Sequence, residues 1–307
     1  MRSGLLLCMR TVLHAHEKES SHMNDCTTVT TSDIELERQA YRKKQSIRSV
    51  LTSIASSLIF VGLVAFGLSN SPGWPRVQES FFSAEYFAQA WPQVLDGLML
   101  NLRVLVVAVI GVAVLGGALA LIRITTSAVM FPLRVVARFY TTVMRGIPML
   151  VVLYLIGFGI PGLGLFGRVD PAILGTVAVV MSYSAYIAEV LRAGFQDVHP
   201  SQRASARSLG LTSGQTMRLV IIPQALRKIA PALMNDFISM QKDVGLISTL
   251  GAVDAVRAAQ IAVAKTYNFT PYVVASILFI LLSVPFILLN DWYTAKLRSR
   301  ERTGGLV

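Results

Sequence analysis

The sequence predicts an all-α membrane protein with about six transmembrane helices. Three observations carry that reading. The chain of 307 residues is 53% hydrophobic and only 15% charged, with a mean hydropathy of +0.58, which sets it apart from soluble domains. Its apolar residues gather into runs of roughly 20, the length that crosses a bilayer as a helix. Its basic residues collect in short blocks beside those runs, as they do in cytoplasmic loops.

Taken in order, the spans fall at about 50–69, 97–122, 139–160, 172–191, 232–251 and 273–290. Arg38, Arg42, Lys43, Lys44 and Arg48 precede the first. Arg123, Arg134 and Arg138 separate the second from the third. Arg192, Arg203, Arg207, Arg218, Arg227 and Lys228 separate the fourth from the fifth, and Lys296, Arg298, Arg300 and Arg302 follow the sixth. With six spans all these blocks lie on one side, while the other holds only Arg76, Arg168, Arg257 and Lys265. The positive-inside rule then puts both termini in the cytosol. The loop around Pro72, Gly73, Trp74, Pro75, Trp91 and Pro92 faces outward, its tryptophans suited to a membrane interface.

Composition also excludes classes of function. A net charge of +11 suggests nucleic acid, but basic blocks flanking apolar spans are accounted for by topology, so no nucleic-acid partner is expected. Cys8, Cys26, His14, His16 and His22 all lie in the polar N-terminal tail, leaving His199 alone further on, so neither a metal site nor a Cys/His catalytic pair is expected. Leu5 to Leu7 form too short a run for a signal peptide, and Met23 reads as the start of translation. The tail itself reads as disordered.

The most informative segment is polar, basic and helix-forming, yet stranded between spans. Ser201 is expected to cap a helix over 202–209, Gly210 to close it in a left-handed conformation, and Thr212 with Gln215 to form a capping box for a second helix that Pro223 interrupts. Such a unit can lie along the membrane surface and slot into a partner's groove, with Leu209 and Leu211 as apolar anchors and Arg203 and Arg207, one turn apart, as a charged flank. An ordinary surface-lying amphipathic loop is the plain alternative.

The ordered pattern of Ala204, Ser205, Ala206, three residues, Gly210, nine residues, Val220, Ile222 and Pro223 resembles the loop signature of permease subunits of bacterial ABC importers, normally Glu-Ala-Ala, Gly, then Ile and Leu-Pro. Neighbouring residues resemble the polar amino-acid uptake branch: Ala185, Tyr186, Ile187, Ala188 and Glu189, then Arg192, Ala193 and Gly194, and later Gln224, Ala225 and Leu226. Arg145, Gly146, Ile147 and Pro148 match as well, as do Lys242, Asp243, Val244, Gly245, Leu246, Ile247 and Ser248.

The resemblance implies a five-helix permease core over 96–300, with a coupling loop at 195–230. An additional helix at 47–70 and an outward loop at 71–95 precede it, and tails at 1–46 and 301–307 bound the chain. The coupling loop (Gln202, Arg203, Ala204, Ser205, Ala206, Arg207, Leu209, Gly210, Leu211 and Pro223) would dock in a cleft of a cytosolic ATP-binding subunit dimer. A second permease subunit, an extracytoplasmic solute-binding protein and a polar amino-acid substrate complete the implied set, with membrane lipid around the spans. The chain contains no Gly-x-x-x-x-Gly-Lys-Ser/Thr phosphate loop, so ATP and Mg belong to the partner and this chain is no enzyme.

The sequence departs from the signature where the family's acidic residue is Ala204 and its next alanine is Ser205. A glutamate at 204 is expected to sit at the third helical position and complete a capping box with Ser201. Its absence is expected to loosen the helix by about 0.5–1 kcal/mol and shift coupling toward a second, intact permease subunit.

Charges inside spans are the candidates for a translocation path or gate, because an unpaired charge in hydrocarbon costs several kcal/mol. On the fifth span Asn235, Ser239 and Lys242 repeat at helical spacing, as do Asp236 and Asp243, and Arg145 of the third is expected to pair with that sector. A network that merely holds helices together satisfies the same pattern. Glu189 and Arg192 read as a local ion pair, and Arg103 as a side chain snorkelling near its helix end. A carrier driven by ion gradients is the rival reading, with Asp236, Lys242 and Asp243 as its coupling groups; six spans without an inverted repeat speak against it.

Overall fold

The computed structural model describes residues 33–165 and 167–304. Among them all regular structure is helical. The expectations for Met23, the cysteines and the three N-terminal histidines fall outside the described residues. The chain divides at Trp74 into two units.

In the first unit, α1 (Asp33–Ser69) starts inside the segment expected to be a disordered tail. Its apolar part, Lys44–Ser69, is long enough to span a bilayer, and Leu58, Phe60, Leu63 and Phe66 are exposed. Its hydroxyls turn back onto the helix: Thr52 donates to the Arg48 carbonyl at 2.8 Å and Ser57 to that of Ser53 at 2.7 Å. Intrahelical bonding of this kind lets serine and threonine sit in an apolar solvent.

The second unit runs through α2 (Trp74–Phe81), α3 (Ala84–Ile124), α4 (Phe131–Gly146), α5 (Met149–Gly162), α6 (Pro171–Asp197), α7 (Pro200–Ser208), α8 (Ser213–Thr216), α9 (Ile222–Asp243), α10 (Ala255–Thr266) and α11 (Thr270–Gly304). The outward segment expected as a loop is mostly helix, and α3 passes straight through Pro92. Arg103, expected near a helix end, sits in the middle of that 41-residue helix and is exposed.

Four stretches cross a membrane by length and composition alone: Lys44–Ser69, Trp74–Ile124, Pro171–Asp197 and Thr270–Leu297. The third and fifth expected spans are bent pairs. Phe131–Gly146 and Met149–Gly162 meet at 110°, and Ser213–Leu250 meets Ala255–Thr266 at 49°. The first break has a local cause. Pro148 offers no N–H and forces Ile147 into extended backbone, φ −98° and ψ 130°, so α4 stops at Gly146. The second break comes after a 3₁₀ stretch, Val244–Leu250, closed by Gly251 at φ +96°. Asp254 then caps α10, its side chain accepting from the Arg257 N–H at 2.8 Å. Helix α10 was not foreseen, being too short and too charged to read as a span.

Helices α3 and α6 form the centre. Lipid supplies no hydrophobic drive for helices to associate, so packing rests on close backbone approach at small residues. A Cβ on Gly111 would lie 2.7 Å from Val180, and one on Gly97 would lie 2.5 Å from the Asp254 carbonyl carbon. Around that seam Leu105, Ala108 and Val112 of α3 pack with Leu153 of α5, Val179 of α6 and Ile247 of the 3₁₀ stretch. A second cluster joins α3 to α10 and α11 through Val94, Leu98, Ala259 and Val274.

Candidate coupling and translocation sites

The stranded segment forms two short helices, α7 and α8, joined by a tight turn. The N-cap of α7 is His199, not Ser201: its Nδ1 accepts from the Ser201 N–H at 3.2 Å, and Pro200 takes the first helical position. Counting from His199, the third helical position is Gln202 and Ala204 is the fifth. A glutamate at 204 could therefore not close a capping box with Ser201, and the expected loosening of the helix has no basis in this geometry.

The other end of α7 closes in a Schellman motif. The Leu211 N–H reaches the Ala206 carbonyl at 3.2 Å and the Gly210 N–H reaches that of Arg207 at 3.0 Å, with Gly210 at φ +81°. At the start of α8 the capping box is present: Gln215 N–H to Thr212 Oγ1 at 3.3 Å, and Thr212 N–H to Gln215 Oε1 at 2.9 Å. Pro223 does not break the helical path beyond α8. A π turn, Met217–Ile221, carries α8 into α9, and Pro223 falls in the first turn of α9. The wider turn relieves the clash that a proline ring makes with the carbonyl four residues back.

Within the segment Gln202, Arg203, Ala204, Ser205, Arg207, Gly210 and Pro223 are exposed, and Ala206 is buried. Of the two expected anchors, Leu209 is displayed at 82% exposure, whereas Leu211 is half-buried. The segment is tied to the bundle by Arg203 Nη2 donating to the Phe195 carbonyl at 2.7 Å and by Gln224 Nε2 donating to Gln202 Oε1 at 3.4 Å. Arg203 and Arg207, expected as an outward flank, also line a cavity of about 490 Å3 against the end of α3.

Arg145 does not reach α9. It ends α4, and its Nη1 lies 3.6 Å from Oε2 of Glu189 on α6. Glu189 is the hub of an ion cluster, with Arg123 Nη1 at 2.7 Å and Arg192 bound on the other oxygen. Sequence reading missed Arg123, whose place next to a basic loop masked its role.

The polar sector of α9 splits in two. On the α6 side, Tyr183 Oη donates to Asp243 Oδ2 at 2.8 Å. Asp236 lines a cavity of about 310 Å3 with Val109, Val112, Tyr183, Phe237 and Met240, and its Oδ2 is buried without a hydrogen-bond partner among the described residues. On the α11 side, Lys242 lines a separate cavity of about 500 Å3 with Thr249, Gln260, Tyr272 and Ser276. Asn235 is exposed and Ser239 half-buried. Two buried polar contacts went unforeseen: Gln241 Nε2 to Ser283 Oγ at 2.8 Å, and Asn101 Nδ2 to Asp254 Oδ2 at 3.0 Å. Polar residues within spans, Asn101 and Ser283 among them, were their only sequence signal. One carboxylate, Asp236, thus faces the first cavity, and the Lys242 side chain lines the second. Among the described residues no three His, Cys, Asp or Glu come together to hold a metal.

Comparison with known proteins places this architecture. Residues 114–299 match the family model described as binding-protein-dependent transport system inner membrane component. The arginine transport system permease protein ArtQ of Bacillus subtilis is 32% identical over 68% of this chain and 94% of its own. The probable glutamine ABC transporter permease protein GlnM of the same organism is 35% identical over 62% of this chain and 87% of its own. Among solved structures, an amino acid ABC transporter crystallised with histidines shares 36% identity at a TM-score of 0.61, over 67% of this chain and 94% of that one. On these grounds the chain belongs to the binding-protein-dependent transport system inner membrane components, the permease family of ABC importers.

Proposed function

We propose that this chain is the permease subunit of an ATP-driven importer for a polar amino acid. The relatives named as arginine, glutamine and glutamate/aspartate permeases support that substrate class. The observation that carries the coupling role is the Schellman-closed α7, which presents Leu209 outward while Arg203 bonds it to α6 and Gln202 to α9. A rigid, anchored protrusion transmits a push; a loose loop absorbs it.

The coupling residues are Gln202, Arg203, Ala204, Ser205, Ala206, Arg207, Leu209, Gly210, Leu211 and Pro223. They engage a separate ATP-binding subunit dimer, which holds ATP and Mg and does the hydrolysis, so this chain is not itself an enzyme. Asp236, Asp243 and Lys242, with Arg145, Asn235 and Ser239, line or gate the path. A second permease subunit, identical or similar, shares it, and an extracytoplasmic solute-binding protein delivers the solute. Both termini face the cytosol, in line with the basic blocks. The helix over 47–70 is an addition to a core over 96–300.

The test is a mild-detergent purification of the tagged chain from its native membrane, wild type beside Gly210→Val. At φ +81° a β-branched side chain is strained by about 1–3 kcal/mol, enough to unmake the turn. A phosphate-loop ATPase that accompanies the wild type and is lost from Gly210→Val supports the proposal. A wild-type preparation that transports without an ATPase refutes it.

A further inference from the structure

We infer that the cavity between the end of α3 and the coupling segment holds the phosphate group of an anionic membrane lipid. The inference rests on the coupling reading, which places this face on the cytosolic side. The cavity, about 490 Å3, is lined by Arg203, Arg207, Thr126 and Thr216 among its polar residues and by no carboxylate. Arg207 has no ion pair and no side-chain hydrogen bond among the described residues, and Arg203 uses one N–H on the Phe195 carbonyl. The nearby carboxylates are committed elsewhere, Glu189 to Arg123, Arg145 and Arg192, and Asp197 to Lys228 at 2.8 Å. Among the described residues the cavity thus has guanidinium donors and no counter-ion. Thr216 is 5% exposed and its Oγ1 has no hydrogen-bond partner among the described residues, an orphan hydroxyl in the cavity wall.

Position separates a lipid from a soluble anion. Helix α3 ends at Ile124, directly after its apolar run, so on that reading the cavity lies where a span meets the headgroup layer. Its remaining wall includes Leu121, Ile124 and Met217, with Leu121 49% exposed. A phospholipid matches both halves, phosphate against the arginines and glycerol and acyl carbons against the leucine side. A free phosphate matches only the first. Basic pockets between helices on the cytosolic side are the usual seats of anionic headgroups. Seated there, the lipid links α3 to α7 and makes coupling depend on the charge of the inner leaflet.

The test uses the whole importer complex and native mass spectrometry, comparing retention of phosphatidylglycerol and phosphatidylcholine with and without competing inorganic phosphate. The wild type should keep phosphatidylglycerol selectively. Arg207→Gln should weaken that retention about fivefold, the effect of one basic residue near a charged surface, and Arg207→Lys should restore part of it. Thr216→Val should weaken retention while leaving the melting temperature in neutral detergent unchanged, because its hydroxyl has no bond to lose. Equal retention of both lipids, or no effect of Arg207→Gln, overturns the inference. Displacement of the lipid by inorganic phosphate assigns the cavity to a soluble anion and also overturns it. Co-purifying ATPase is scored in the same samples, so a failed coupling reading shows as its absence while the lipid counts stay readable.

Discussion

Arg123 at the end of α3 places its Nη1 2.7 Å from Oε2 of Glu189 on α6, and both side chains are largely sheltered, at 10% and 21% exposure. The pair joins the two central helices at the end of α6 that leads into α7 and α8, and Arg192 and Arg145 complete the shell around the same carboxylate. Removing the carboxylate leaves a sheltered arginine without its counter-charge. Glu189→Gln should therefore cost about 2–4 kcal/mol of stability. Thermal unfolding in detergent, run as a double-mutant cycle with Arg123→Met, should give a coupling energy above about 1 kcal/mol. A coupling near zero would show that the contact holds nothing together.

Ala204→Glu tests the departure from the family signature. Position 204 is exposed and fifth in α7, out of reach of the cap. The new carboxylate would instead face Arg207 at the i, i+3 spacing, for a gain of about 0.3 kcal/mol at low salt. Transport should be kept or improved. A clear loss would mean that the segment docks with another face.

Tyr183 and Asp243 offer a test of the path. Tyr183→Phe removes only the 2.8 Å hydrogen bond and should lower uptake severalfold, at a cost in stability of about 1–2 kcal/mol for the carboxylate oxygen left without its donor. Asp243→Asn and Asp236→Asn remove charge and should lower uptake at least tenfold at unchanged protein level. Radiolabelled uptake with the reconstituted importer is the measurement, and wild-type rates in both Asn variants would return these aspartates to a structural role.

The Asn101 amide bridges two elements. It donates to Asp254 Oδ2 at 3.0 Å and accepts from the Ala255 N–H at 3.0 Å, so it fixes the start of α10 against α3 where Gly97 lets the backbones touch. Asn101→Leu strands a buried carboxylate oxygen and a buried N–H, at a cost of about 3 kcal/mol. Asn101→Asp sets two carboxylates side by side and should be worse. Unfolding midpoints of the two variants rank the effect, and equal midpoints would remove the staple.

Class, approximate span count and the turn chemistry of the segment between α6 and α9 were legible in the chain itself, because each rests on local physics. A span is an unbroken apolar run, a cap is a residue type at a fixed offset, and only glycine accepts φ +81° cheaply. Thr212, Gln215 and Gly210 could thus be read one by one. Ser201 was misread because a histidine one position before Pro200 caps the helix instead, and Pro223 because a π turn absorbed its ring.

What the tertiary structure alone decided is which charges meet. Arg145 is far in sequence from both α6 and α9, and the 110° bend at Ile147 and Pro148 turns it to Glu189. The helical repeat of α9 put Asp236, Lys242 and Asp243 on one helix, but Asp236 faces a cavity made with α3 and α6, Asp243 meets Tyr183 of α6, and Lys242 lines a cavity made with α10 and α11. Periodicity tells which residues share a face. Only packing tells what that face looks at, since the crossing of helices is set by close contacts such as Gly111 on Val180 and Gly97 on Asp254, between residues distant in the chain.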